Sequence, residues 1–113
     1  VRIFCDGEDV EVQPQEILYA EMSARKVCLH LQGADRALLY TTATMADLAD
    51  LLENHGFVRT HKSVLVNMEH IRDLQSTRLY LRDGTELPVS SHKDSAVRKI
   101  YTQWRSAKKW VIG

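Results

Sequence analysis

No apolar run in these 113 residues is longer than a few positions. A membrane-spanning helix, which needs about 20, is therefore excluded. No secretory leader opens the chain either, because Arg2, Asp6, Glu8 and Asp9 interrupt any apolar stretch. Cysteine is scarce. Cys5 and Cys28 show no C-x-x-C spacing and lie among apolar neighbours, which predicts two reduced core thiols in a cytoplasmic protein. The five glycines are scattered at turns and build no phosphate-cradling loop. The five histidines, His30, His55, His61, His70 and His92, form neither H-x-x-x-H nor H-E-x-x-H. No catalytic centre, metal site or cofactor is expected from such a set. Repeats, low-complexity tracts and linkers are missing too. Residues 1–113 read as one domain with a single modest core. The first residue is Val rather than Met, as expected of a C-terminal fragment of a longer protein.

Net charge is also absent, since fifteen basic residues balance fifteen acidic ones. Taken alone, that balance argues against a nucleic-acid binder. Its distribution says more. In residues 1–16, Arg2 stands against Asp6, Glu8, Asp9, Glu11 and Glu16. In residues 89–113, Lys93, Arg98, Lys99, Arg105, Lys108 and Lys109 stand against Asp94 alone. One acidic end and one basic end make a dipolar surface, able to orient a domain on a polyanion although the total vanishes.

What is present is mostly short alternating segments. Val1–Cys5, Val10–Val12, Ile17–Met22, Val27–Leu31 and Arg36–Thr41 read as strands. Asp6-Gly7, Pro14-Gln15-Glu16, the polar link Ser23–Lys26 and Gln32–Asp35 break the pattern between them. The period then changes. Thr44-x-x-Asp47 is a capping-box variant, and Met45, Leu48, Leu51 and Leu52 follow at helical spacing, up to a stop at His55-Gly56. Strands resume at Phe57–His61, Val64–Val66, Ile71–Leu74, Arg78–Arg82 and Thr85–Val89, with a helical turn over Asn67–His70. Asp83-Gly84 marks a hairpin, and Pro88 confines its second arm to an edge or a strand end. Ser91-x-x-Asp94 offers a second cap for a last helix, with Val97, Ile100, Tyr101, Trp104, Ala107 and Val111 on one face. The fold class is thus mainly β: an elongated sheet or sandwich of about nine to ten short strands, one short central helix and a C-terminal helix.

The stretch Phe57–Ile71, FVRTHKSVLVNMEHI, stands out. Its edges alternate like strands, yet Arg59, His61, Lys62, Ser63 and Asn67 crowd its middle. A strand that only builds a core has no use for so many hydrogen-bonding groups. Arg and Lys satisfy phosphates, and Ser, Asn and His reach phosphate oxygens or base edges. Asn67 reads as a turn former or cap. This motif, followed by Gly84-Thr85-Glu86-Leu87-Pro88-Val89-Ser90, resembles the LytTR DNA-binding domain over nearly the whole chain. The family serves bacterial transcription regulators of two-component systems as an output domain.

The resemblance implies a partner, double-stranded DNA, and loops inserted into successive major grooves of a bent duplex. It places Arg25 or Lys26, then Lys62, then the position at Ser91 near base edges. Arg59, His61 and Ser63 fall near phosphates or brace the elbow, and His92 and Lys93 flank the last contact. Many family members carry a basic residue, often Arg, where this chain has Ser91. Serine cannot grip a guanine bidentately and His92 is a single-donor substitute, so either a different base is read there or Lys93 reaches in from the next turn. The resemblance also implies an N-terminal receiver or sensor domain in the full-length response regulator and a homodimer on repeated sites. No membrane contact and no enzymatic activity are implied. A protein-interaction or ligand-sensing β-domain without DNA binding is the alternative, favoured by the zero net charge and by Ser91.

Overall fold

The structure, a computed structural model, describes residues 1–33 and 38–110, the side chains of 109 and 110 excepted. Among the described residues, ten strands and two helices follow in order. They are β1 (Arg2–Cys5), β2 (Glu8–Glu11), β3 (Ile17–Ser23), β4 (Lys26–Leu31), β5 (Leu38–Thr41), α1 (Met45–Leu52), β6 (Phe57–His61), β7 (Val64–Asn67), β8 (Ile71–Leu74), β9 (Arg78–Leu81), β10 (Glu86–Pro88) and α2 (Asp94–Trp110). The mainly β class and both helices agree with the sequence reading. The strand expected over Arg36–Thr41 is seen from Leu38 onward; its first two residues, the second half of the turn expected over Gln32–Asp35, and Val111 lie outside the described residues.

Seven strands form one antiparallel sheet in the order β2-β1-β5-β4-β3-β7-β6, and β10-β9-β8 form a second. Two cores result. Ile3, Cys5, Ala20, Val27 and Leu29 on one face of the large sheet meet Met45, Leu48 and Leu52 of α1. On the other face, Tyr19, Val58, Val64 and Val66 meet Ile71, Leu79, Leu81 and Leu87 of the small sheet and Val97 of α2. Alternation along β3 and β7 supplies both faces, as expected for a sheet buried on two sides. Leu51 and Ile100, which the helical spacing places on the apolar faces, are instead 41% and 43% exposed. Each lies at the margin of its stripe, where the helix has nothing to cover it.

Local chemistry fixes the element ends. Thr44 Oγ1 accepts from Asp47 N–H at 3.0 Å, and the Asp47 carboxylate accepts from Thr44 N–H at 3.4 Å, so the capping box is closed. A 3-10 turn over Glu53–His55 then leads to Gly56 in the left-handed region. The hairpin at Asp83-Gly84 is one residue longer than the two-residue turn its sequence suggests. Leu81 and Thr85 are bonded across it, Gly84 N–H returns to Leu81 O at 3.0 Å, and Gly84 holds φ +93. That makes Arg82-Asp83-Gly84 a three-residue loop with glycine at its left-handed position. Cys5 and Cys28 are buried and free, and burial pushes both thiols above their usual range.

Two glycines separate backbone strain from crowding. A Cβ on Gly84 meets nothing within 4 Å, whereas one on Gly56, at φ +81, falls 2.9 Å from Trp104 Nε1. Gly84→Ala is expected to destabilise by about 1–2 kcal/mol, the ordinary left-handed penalty. Gly56→Ala is expected to lose about 1–3 kcal/mol more, because Trp104 must move. Urea unfolding measures both, and only Gly56→Ala should also alter the tryptophan emission of the folded state.

Candidate nucleic-acid interface

Three polar segments come together at one end of the large sheet, and backbone bonds hold them there. In the β3–β4 hairpin Ser23 pairs with Lys26, leaving Ala24-Arg25 as a two-residue tip. Strand β7 runs antiparallel to β3, with Glu21 opposite Val64, so the residues before Val64 emerge at the end where β3 turns. Met22 N–H donates to Ser63 O at 2.9 Å and extends that row. In the β6–β7 hairpin His61 pairs with Val64, leaving Lys62-Ser63 as the second tip. The two tips stand two strand spacings apart, about 10 Å.

Thr60 brings in the third segment. The β6–β7 register slips between Arg59 and His61, which makes Thr60 the extra residue of a β-bulge. It is fully buried. Its hydroxyl donates to Pro88 O at 2.9 Å and its carbonyl accepts from Ser90 N–H at 2.8 Å. The link Ser90–Lys93 is thereby clamped beside the second tip. Sequence reasoning missed Thr60. The only signal was the run Arg59-Thr60-His61, three polar residues that interrupt an alternating strand.

The side chains divide into braces and free groups. The Arg59 guanidinium donates to Lys62 O at 2.6 Å, closing the elbow from beneath. Ser63 N–H donates to His61 Nδ1 at 3.2 Å, and Ser63 Oγ lies 2.9 Å from the same nitrogen. A ring nitrogen that accepts carries no proton, so neutral His61 keeps its N–H on Nε2 as a single available donor. Asn67 is 2% exposed. Its amide donates to Ile17 O at 3.0 Å, and its Oδ1 accepts from Glu69 N–H at 3.0 Å, which makes it a structural cap. Arg25, Lys26, Lys62, Ser91 and His92 are exposed, and Lys93 is half-buried. Among the described residues, Arg25, Lys26, Lys62 and Lys93 enter no ion pair. The basic face of α2 differs: Arg98 lies 3.7 Å from Asp94, Lys108 pairs with Glu69, and Arg105 sits over the Tyr101 ring.

The cap expected at Ser91 is not formed. Lys93 N–H bonds Ser90 O at 2.9 Å, Lys93 O accepts the first helical bond from Val97 N–H at 2.8 Å, and α2 begins at Asp94. Lys93 holds the N-cap position, so the Ser91 hydroxyl is left in the preceding turn. The other histidines serve elsewhere. His30 lies 2.8 Å from Glu21 and stacks on Tyr19, and His70 lies 3.1 Å from Gln15 O. Among the described residues no three His, Cys, Asp or Glu side chains gather as a metal-ligand set, and no helix is long and apolar enough to cross a membrane.

The sequence model of the LytTr DNA-binding domain matches residues 8–102. The chain belongs to the LytTr DNA-binding domain family. Among solved structures, it is similar to the LytTr DNA-binding domain of a Bacillus cereus protein described as a methyl-accepting/DNA response regulator. The two are 25% identical, with a TM-score of 0.73 over 88% of this chain and 94% of that one. No curated protein matches the chain. The LytTr match takes in both tips and the Ser90–Lys93 link.

Thr60 is the residue to test. Thr60→Val keeps the shape but leaves Pro88 O without its donor, and a loss of about 1–3 kcal/mol is expected. Hydrogen exchange should quicken at the Ser90 amide while the β3–β4 ladder stays protected. Unchanged protection at Ser90 would show that the hydroxyl does not hold the link.

Proposed function

We propose that this chain is a sequence-specific DNA-binding output domain of a bacterial response regulator. It seats the Ala24-Arg25 tip, the Lys62-Ser63 tip and the Ser90–Lys93 link in successive major grooves. The observation that carries this reading is the bonded row from Met22 through Ser63 and Thr60 to Ser90, which sets three polar loops side by side. Among the described residues, four cations on that row, Arg25, Lys26, Lys62 and Lys93, enter no ion pair, which leaves their charge available to a polyanion. Arg25 or Lys26 and Lys62 take base edges. Ser63 and His61 lie within reach of the backbone, and His92 and Lys93 read in place of the arginine absent at Ser91. Arg59 acts through the elbow it braces.

On this reading residues 1–113 are the single DNA-binding domain of a longer cytoplasmic regulator. A receiver or sensor domain precedes it, it pairs as a homodimer on repeated sites, and it has no enzymatic activity. Enrichment of bound duplexes from a random pool tests the proposal, and salt separates it from a protein-interaction module. Each phosphate neutralised adds about −0.9 to the log–log slope of affinity against salt, a law that a contact with protein does not follow. A module that only binds protein enriches no sequence.

Lys62→Ala decides how the second tip is used. Affinity is expected to fall by about 1–3 kcal/mol on the best site, with preference relaxed at one base pair and the salt slope unchanged. A uniform loss across sequences, with the slope reduced by about one, would make Lys62 a phosphate contact instead.

A further inference from the structure

Beside the first tip lies a hollow of roughly 590 Å³, lined by Ser23–Lys26 on one side and by Asp6 and Tyr40 on the other. Asp6 comes from a different hairpin. Cys5 pairs with Glu8, so Asp6-Gly7 is the two-residue turn of β1–β2, with φ +50 and +86. Two positive values in succession define a type I′ turn, whose first position takes Asn, Asp or Gly. Turn geometry therefore accounts for a small polar residue or glycine at position 6, but not for a negative charge. Asp6 is exposed, and among the described residues its carboxylate has no ion pair or side-chain hydrogen bond, although Arg25 and Lys26 line the same hollow. Tyr40 is 37% exposed between them.

A free carboxylate at this position gains nothing from phosphates, which repel it. In the major groove it is also repelled by the acceptors of guanine (N7, O6) and thymine (O4). The exocyclic amino groups are the donors that suit it. Cytosine suits it best, because its edge presents N4–H₂ with no acceptor alongside, whereas adenine adds N7. We infer that Asp6 is a specificity-determining residue, whose carboxylate accepts a hydrogen bond from an amino-bearing base, cytosine first, next to the base pairs facing Arg25 and Lys26. The inference rests on the DNA reading above. In this role the acid contributes discrimination rather than affinity, by penalising the edges it cannot bond.

Position 6 permits a clean test, because Asn and Gly both keep the turn. Bound duplexes are enriched from a random pool with the 113-residue chain, with Asp6→Asn and with Asp6→Gly. The parent should favour cytosine at one flanking position over guanine and thymine by about five- to tenfold. Asp6→Asn should move that preference to adenine, since a carboxamide bonds N6 and N7 together. Asp6→Gly should leave the position degenerate, with every other position unchanged in both variants. An identical profile in both variants overturns the assignment. Uniformly tighter binding with an unchanged profile also overturns it, being the mark of an acid that merely repels phosphate. If the parent enriches no sequence, the DNA reading itself fails, a result distinct from either.

Discussion

The arrangement of this domain depends on one extra residue in one strand. Thr60 bulges from β6, is fully buried, and has its hydroxyl and its carbonyl bound to the chain between Pro88 and Ser90. A buried hydroxyl without a partner is costly, so this geometry resists drift. A bulge also bends its strand and increases local twist. The same residue therefore aims the Lys62-Ser63 tip and fixes the start of the link to α2. That clamp joins the large sheet to the segment that leaves the small one. The Arg59 brace on Lys62 O and the Met22 bond to Ser63 O act on the same few residues. The loop end is therefore held by bonds to backbone groups, while among the described residues Arg25, Lys26, Lys62 and Lys93 enter no ion pair.

Net charge hides this. A chain with a formal charge of zero has no general attraction for a polyanion. Folding sorts the charges instead. On α2, Arg98 and Lys108 are matched by Asp94 and Glu69, and Glu11 sits against the N-terminal amine and Arg2. These exposed pairs stabilise little, but they remove charge from those surfaces. The cations left unmatched include the four that line the loop end. Local field, not total charge, sets how a surface meets a charged partner, and at moderate salt that field extends only about 10 Å.

Much of this was legible in the sequence. Thr44-x-x-Asp47 and Gly56 act through short-range chemistry, and each stands where its residues place it; Asp83-Gly84 turns the chain as expected, in a loop one residue longer. Alternation located the strands to within a residue or two for the same reason. The candidate loops were visible as polar interruptions, and a shared surface was expected only from loops emerging at sheet edges and from the resemblance; no local pattern fixes that convergence. It depends on the pairing of β3 with β7, some forty residues apart, and on a hydroxyl bond from Thr60 to Pro88. Ser91 shows the limit of local rules. Its hydroxyl-x-x-acid pattern is as good as that of Thr44, yet the turn closed by Ser90 and Lys93 delays the helix by a residue pair and moves the cap. Leu51 and Ile100 fit the helical period but lie where no element covers them.

The first tip carries a strain that the second does not. Ala24 holds φ +56, where an L-residue other than Asn or Asp pays about 1–2 kcal/mol. Glycine would relieve it, at the expense of a wider range of conformations at the tip. The ladder behind Ala24 is able to hold the strained form. Strand β4 is paired to β3 on one side and β5 on the other, and β3 is paired to β7 in turn. A two-residue tip with alanine at its bend offers few alternative conformations, so Arg25 leaves the sheet in a set direction. At the other turns the positive φ values fall on Gly7, Gly33, Gly56 and Gly84 and on Asp6. Alanine in that role at this tip favours a loop that is positioned over one that adapts.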